Sequence, residues 1–326
     1  MTRKFPLMAV VFVTAIALTF GSGAAHAQLY GPKVLTAFGG VGNGPALDGN
    51  MALAGWMNLT KKGGAKAVSV TVTSEISPPN NNGTVCTFTD PSDVSYSFPN
   101  GLDSAGTLTL TLAADDPDCY EMADLNNTRN EAGASITFAI YRVPGVFSLV
   151  GLETNLVNIN NIPFSPPIPV SGVMSSVVGF PVNRLIGVKL FNAIGGTSGV
   201  TFPIPGPPPN GHIALAGRAT LDGKGGAKAL DLTLNYFGSE GTMTCQLTNP
   251  SDLSYTVSKG VGTLTLEPSA SDSNCMPNEA GKSITFALYA VGRQTRLIAT
   301  SSSLVDTQGD IIDSIAMSGS MSVRKL

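Results

Sequence analysis

An internal repeat constrains this chain more than any other feature of its sequence. The segment CTFTDPSDVSY, which begins at Cys86, recurs as CQLTNPSDLSY from Cys245, with the same step from cysteine to tyrosine. MALAGWMNLT from residue 51 likewise recurs as IALAGRATLD from residue 213, and NEAGASITFAIY from residue 130 recurs as NEAGKSITFALY from residue 278. Because the order is kept, the chain contains two copies of one unit of about 130 to 145 residues, which is the size of a domain.

The first residues have the pattern of a secretory signal peptide. Arg3 and Lys4 precede an apolar stretch, Phe5–Phe20, and small residues follow it as far as Ala27. This stretch is short for a membrane span, and the Ala-His-Ala triplet is typical of a cleavage site. We therefore expect residues 1–27 to be removed and the protein to be exported, to the periplasm or the extracellular space.

The repeat and the signal peptide together divide the chain. We expect a first β-barrel repeat over residues 28–178 and a second over residues 211–326. Between them, residues 179–210 would form a linker rich in proline and glycine together with a lead-in strand. Segments such as PIPGPPPNG suit linkers because proline lacks a backbone N–H donor.

The charge of the chain bears on its partners. Once Arg3 and Lys4 are removed, 17 basic residues face 22 acidic ones, which leaves a net charge of −5. Binding to nucleic acid needs clustered Lys and Arg, so we expect no nucleic-acid partner. We also expect no transmembrane segment after signal cleavage, because the chain ends in SVRKL and not in the aromatic strand of an outer-membrane barrel.

Alternation of apolar and polar residues predicts β-strands. In SITFALY, Ile284, Phe286 and Leu288 fall on one face, which is typical of a half-buried strand. Eight such segments occupy the second unit, near residues 213–221, 227–236, 242–249, 254–258, 262–268, 282–291, 296–301 and 314–324. Turn sequences such as DGKGG and KGVG separate them. We predict an all-β fold of two tandem antiparallel eight-stranded barrels, with β-sandwich units as the alternative.

The repeated DPSD and NPSD segments are interpreted as turns. Asp90 or Asn249 suits the first turn position and Pro91 or Pro250 the second. Proline presets the backbone angle there, and the Asp or Asn side chain can accept a backbone hydrogen bond. The duplication of this phrase is therefore interpreted as duplicated architecture, with a duplicated ligand site as the alternative.

Four cysteines predict two structural disulfides in an exported protein. They are Cys86 and Cys119 in the first unit and Cys245 and Cys275 in the second. Three pairings are possible, and the duplication favours one bridge within each unit. A redox role is disfavoured because the sequence has no Cys-x-x-Cys spacing.

The segments ALAGRATLDGKGGA, LSYTVSKGVGTLTL, ITFALY and RLIAT resemble repeat domains of uncharacterised exported proteins from soil bacteria. The resemblance covers most of both units and implies an antiparallel, calycin-like β-barrel without an established activity. The second unit keeps the Asp-Gly-x-Gly turn of that family at Asp222, Gly223 and Gly225, whereas the first unit has Thr60 and Lys61 at the corresponding positions.

Polar and aromatic candidates for a site are few. Trp56 lies where a lipocalin would carry its tryptophan, but the spacing to Gly55 differs, and Arg218 replaces this tryptophan in the second unit. Asp116 belongs to an acidic cluster that could attract calcium, and Asp272 is its counterpart in the second unit. We retain Trp56, Asp116, Arg218 and Asp272 as candidate loop or rim residues of an interaction site.

Catalytic groups are scarce in the sequence. His212 is the only histidine after the signal peptide, so a zinc site with several histidines is excluded. We assign no catalytic, cofactor-binding or metal-binding residue and expect no cofactor. The sequence therefore favours a non-enzymatic envelope or secreted protein with a structural or surface-interaction role. The alternative is a carrier that holds a small apolar ligand inside a barrel, and an envelope component is the other candidate partner.

Overall fold

The computed structural model shows an all-β protein. It describes residues 29–42, 48–76, 83–99, 105–113, 118–121, 128–143, 146–155, 170–177, 181–198, 210–237, 242–269, 275–276, 279–305, 307, 312 and 315–323. The predicted signal peptide, residues 1–27, lies outside these described residues.

Two antiparallel sheets contain all the named strands. The first sheet is formed by β1 (Gly31–Gly42), β2 (Asp48–Leu59), β3 (Ala65–Ile76), β4 (Thr84–Phe88), β5 (Val94–Ser97), β6 (Gly106–Thr111), β7 (Asp118–Glu121), β8 (Thr128–Asn130), β9 (Ser135–Val143), β10 (Val146–Thr154) and β11 (Val170–Ser176). The second sheet is formed by β12 (Ile186–Ser198), β13 (Asn210–Asp222), β14 (Ala227–Phe237), β15 (Thr242–Leu247), β16 (Leu253–Ser258), β17 (Val261–Leu266), β18 (Cys275–Met276), β19 (Ile284–Val291), β20 (Gln294–Ser302) and β21 (Ile315–Val323).

The two sheets have the same strand order, except that β8 of the first sheet has no counterpart among the described strands of the second. It runs β5-β6-β9-β10-β11-β1-β2-β3-β4-β7-β8 in the first sheet and β16-β17-β19-β20-β21-β12-β13-β14-β15-β18 in the second. Each sheet curls so that the first strand in its order, β5 or β16, lies against a turn between two long strands. This turn joins β2 to β3 in the first sheet and β13 to β14 in the second. Gly64 bridges Ser95 in the first sheet, and Gly226 bridges Ser254 in the second. The result is two curled antiparallel half-barrels built on one plan.

The expected count of eight strands per unit is wrong, because the sheets have 11 and 10 strands. All eight segments predicted in the second unit form strands, and two further strands join them. One is the lead-in strand β12, which pairs with both β13 and β21. The other is β18, which is only two residues long and therefore too short to show an alternating pattern. Strand counting from periodicity misses such short pieces.

Apolar side chains fill the concave side of each sheet. In the first sheet, Leu35, Leu53, Val70, Phe138 and Phe147 belong to one fully buried cluster that joins strands from both ends of the sheet order. An equivalent cluster, which includes Phe286 and Leu288, fills the second sheet. Burial of this surface is the main stabilising contribution to each unit.

The repeated ALAG segment is explained by close approach of neighbouring strands. A Cβ atom at Gly55 would overlap the backbone of β3 at Ser69 and Val70, and one at Gly217 would overlap Asp231 and Leu232 of β14. Gly217 also has a φ of 138°, a conformation that side chains disfavour. Glycine at this position therefore allows the long strands to coil tightly.

The duplicated turns adopt the predicted architecture. Pro91–Asp93 and Pro250–Asp252 each form one turn of 3-10 helix. The Asp90 side chain accepts a hydrogen bond from the Ser92 amide at 2.7 Å, and Asn249 accepts one from the Ser251 amide at 3.1 Å. The interpretation of this phrase as a turn is confirmed.

Candidate interaction surface

The structure contains both predicted disulfides. Cys86 on β4 is bonded to Cys119 on β7, and Cys245 on β15 is bonded to Cys275 on β18. In each case the two cysteines are direct cross-strand partners. Each bridge therefore ties a very short strand to its neighbour near one end of the sheet order. Disulfides of this kind are typical of proteins in oxidising compartments.

The four candidate loop or rim residues have different outcomes. Asp116 and Asp272 lie outside the described residues. Trp56 and Arg218 are not in loops, because they occupy equivalent positions on the outer faces of β2 and β13. The environments of these two side chains nevertheless differ completely, and this difference leads to the candidate surface.

Trp56 lies where the two units meet. Its ring packs against Val34 and Val177 of the first unit and against Val291 of the second. It also borders a second buried cluster, in which Ala52 and Ala54 of β2 contact Tyr289 and Ile298. The first unit thus uses the outer face of β1, β2 and β3. The second uses the outer face of β19, β20 and β21 together with the end of β12, where Gly196 lies against the Asn50 side chain of β2.

Polar contacts fix the register of this junction. The hydroxyl groups of Thr71 on β3 and Tyr289 on β19 are hydrogen-bonded. The Ser318 hydroxyl on β21 donates to the Ala37 carbonyl oxygen at 3.3 Å. Burial raises the pKa of Tyr289 to about 12 because the phenolate would lose its hydration. The junction therefore combines small apolar side chains with satisfied hydroxyl groups.

The face of the second unit that corresponds to β1, β2 and β3 is open. Leu190, Ala214, Ala216 and Thr233 there stand where Val34, Ala52, Ala54 and Thr71 stand in the first unit. Ala52 and Ala54 are completely buried, whereas Ala214 and Ala216 are exposed.

Arg218 lies on this open face beside an acidic partner. Its Nε atom is 3.7 Å from the Asp231 carboxylate, and both side chains are more than half exposed. They border a groove of about 300 Å³, which Val188 and Ala229 also line. An ion pair this exposed contributes roughly 1 kcal/mol or less to stability. It adds a pair of opposite charges to a face that also exposes apolar residues such as Val188 and Leu190.

The first unit also has an open face, which is the outer face of β9, β10 and β11. This face corresponds to the face of β19, β20 and β21 that the second unit uses at the junction. Tyr141 on β9 and Val150 on β10 correspond to Tyr289 and Ile298 of the junction, and Ser171 corresponds to Ser318. Tyr141 is 46% exposed and Val150 is 40% exposed, whereas Tyr289 and Ile298 are buried. The first unit thus exposes an apolar face that its counterpart uses for contact.

A pair of buried lysines was not predicted from the sequence. Lys33 and Lys189 occupy equivalent positions on β1 and β12 and point to the inside of their sheets with Leu35 and Phe191. The Lys33 ammonium group donates to the Ser176 hydroxyl at 2.9 Å and to the Tyr30 carbonyl oxygen at 3.2 Å. Burial lowers the pKa of Lys33 to about 8 and also lowers that of Lys189. The sequence feature that could have revealed this pair is the lysine that begins both KVLTAFGG, at residue 33, and KLFNAIGG, at residue 189.

Buried carboxylates form a second repeated feature that was missed. Asp93 accepts a hydrogen bond from the Ala113 amide at 3.0 Å, and its counterpart Asp252 accepts one from the Ser269 amide at 3.0 Å. Glu279, in the repeated NEAG segment, accepts from the Val305 amide at 3.2 Å. These carboxylates satisfy backbone amides at strand ends, which explains why both copies keep them.

The described ranges contain one histidine, His212, and no cluster of metal ligands. No group of three or more His, Cys, Asp and Glu residues that could hold a metal ion occurs there. His212 is an exposed side chain on β13, with Gly196 and Phe237 as its partners in register. As far as the described residues extend, the structure has no helix long and apolar enough to cross a membrane.

Two comparisons with known proteins found no match. No protein-family model matches the chain, and no curated protein matches it.

Proposed function

We propose that this protein is an exported, non-enzymatic repeat protein of the cell envelope or the extracellular space. In this proposal its two β units act as a rigid scaffold and present outer strand faces for contact with other molecules. The observation that carries the proposal is the contrast between filled interiors and apolar outer faces. Buried side chains fill the inside of each sheet, while apolar residues such as Leu190 and Val150 are exposed outside.

The filled interiors favour this role over the carrier role. A carrier needs an internal volume for its ligand, whereas large side chains such as Phe138, Phe147 and Phe286 occupy the inside of the sheets with no measurable exposure. The calycin-like classification and the export of the chain belong to the same proposal. They are supported by the curl of the sheets and by the two disulfides.

Two measurements test the proposal. A broad screen with hydrolase and ester substrates on the purified protein should give no turnover, and His212→Ala and Asp116→Asn serve as variants for any signal found. Activity that either substitution abolishes would overturn the non-enzymatic role. Extraction of the purified protein with organic solvent should yield no stoichiometric lipid or pigment, and a bound apolar molecule would select the carrier role instead.

A further inference from the structure

The junction between the two units is heterologous, because it joins two different faces of one repeated structure. The first unit contributes the outer face of β1, β2 and β3, and the second contributes the outer face of β19, β20 and β21 with the Gly196 end of β12. Since both units have the same strand order, each also has the face that its neighbour uses. A contact of this kind leaves one unmatched face at each end of the molecule.

We propose that the two unmatched faces bind each other between molecules, so that the protein assembles head to tail. The open face of β12, β13 and β14 would dock on the open face of β9, β10 and β11 of a second copy. This inference rests on the proposed surface-interaction role and names its partner as another molecule of this chain.

The residues that make the internal junction are present at the open faces. Ala214 and Ala216 keep the small side chains that let Ala52 and Ala54 approach the second unit closely. Tyr141 is identical to Tyr289, and Thr233 is identical to its hydrogen-bond partner Thr71.

Several of the other junction residues also have similar counterparts at the open faces. Ser171 matches Ser318, and Ala193 matches the Ala37 residue whose carbonyl oxygen accepts the bond from Ser318. Val150 replaces Ile298, which preserves an apolar contact of similar shape. The internal junction therefore supplies a template for both sides of the contact between molecules.

One difference sets the strength of this contact. Arg218 stands where Trp56 fills the internal junction, and the Arg218–Asp231 pair would have to lose solvent on docking. We therefore expect weak and reversible association, detectable at protein concentrations of roughly 10 to 100 µM.

Sedimentation velocity over that range tests the proposal. The wild-type protein should show a rising average mass with concentration. Ala216→Glu on one open face and Val150→Glu on the other should each reduce association at least tenfold. Met276→Glu is the matched control, because Met276 is 73% exposed on β18 and lies on neither face. Circular dichroism and the elution volume of the monomer verify that each variant is folded.

Mixing distinguishes head-to-tail contact from other self-association. Ala216→Glu and Val150→Glu proteins should form a heterodimer when mixed, because each retains the face that the other lacks. Neither protein should form chains alone. Arg218→Trp should strengthen the association of the wild-type sequence at least tenfold, an effect that loss of stability cannot imitate.

Three results would overturn the inference: a wild-type protein that stays monomeric throughout this range, variants that associate like the Met276→Glu control, or a mixture that forms no heterodimer. None of them would bear on the non-enzymatic role, which the substrate screen tests separately.

Discussion

At the scale of single residues, equivalent positions in the two units have acquired different tasks. Trp56 and Arg218 share a place in the fold, yet Trp56 packs at the junction and Arg218 faces solvent beside Asp231. Lys33 and Lys189 share both place and environment, since each is buried on the inside of its sheet. What surrounds a repeated position therefore decides whether its side chain stabilises one unit or the contact between units.

Truncation of Trp56 tests the contribution of this side chain to the junction. We expect Trp56→Ala to lower the free energy of unfolding by about 2 to 4 kcal/mol, because it removes a large ring from a packed contact. Urea unfolding followed by circular dichroism measures the change. Arg218→Ala is the matched control and should stay within about 0.5 kcal/mol of wild type. Equal effects of the two substitutions would contradict the assigned role of Trp56.

The buried Lys33 predicts an unusual dependence of stability on pH. Its pKa of about 8 in the folded state lies below its ordinary value of 10.5, so the unfolded chain binds more protons between these pH values. The free energy of unfolding should therefore rise, on the order of 1 kcal/mol, as pH increases from about 8 to 9.5. The range stops there because burial raises the pKa of Tyr289. At higher pH this tyrosine loses its proton more readily in the unfolded chain than in the folded protein, which lowers the free energy of unfolding.

Lys33→Met isolates this effect. The substitution should raise the free energy of unfolding at pH 7 and should reduce the rise above pH 8, because the Lys33 charge no longer has to be desolvated. A smaller rise should remain from Lys189, whose pKa burial also lowers. Lys66→Met, at an exposed position on β3, provides the control. A Lys33→Met protein that keeps the full pH dependence would show that another group causes it.

At the scale of elements, short strands and turns depend on tethers and not on their own apolar pattern. β18 has two residues and is held by the Cys245–Cys275 bridge. The turn at Pro91–Asp93 is tied to the chain beyond β6 by the bond between the Asp93 carboxylate and the Ala113 amide. These tethers close the edges of the sheets, where alternation alone provides little burial.

Removal of the tethering carboxylate tests this account. Asp93→Ala should lower the free energy of unfolding by about 1 to 3 kcal/mol, because it leaves the partly buried amides of Asp90 and Ala113 without their acceptor. The exposed neighbour Ser92 provides the control, and Ser92→Ala should have little effect. Chemical denaturation monitored by Trp56 fluorescence gives both values. A loss for Asp93→Ala no larger than that for Ser92→Ala would contradict a tethering role.

At the scale of the whole molecule, the two units are complete sheets that share an apolar contact. Each has its own core and its own disulfide, yet Tyr289, Ile298 and Ala316 of the second unit are buried only together with residues of the first. The second sheet also uses the chain that precedes it, since the Val182 amide donates to the Ala290 carbonyl oxygen at 3.1 Å and Leu185 is buried in its core.

A fragment of residues 181–326 should therefore fold alone, with a lower free energy of unfolding than the full chain. A fragment of residues 187–326 lacks Val182 and Leu185 and should be less stable still, by about 2 kcal/mol or more. Guanidinium denaturation of both fragments measures the difference. An unfolded 181–326 fragment beside a folded full chain would show that the two units share one core.

The sequence by itself determined the features that depend on local pattern. Alternation in segments such as SITFALY predicted the long strands, the DPSD and NPSD phrases predicted the turns, and the duplicated spacing of Cys86 and Cys119 predicted the disulfides. These features follow from the chemistry of neighbouring residues, so a single chain segment carries enough information to reveal them.

Tertiary structure alone decided which outer faces meet. Ala52 and Ala214 occur in nearly identical segments, and no local pattern distinguishes the buried residue from the exposed one. The junction forms between strands that are distant along the chain, as the bond between Thr71 and Tyr289 illustrates. Burial there depends on the relative placement of two curled sheets, which is a property of the assembled surfaces and not of either segment.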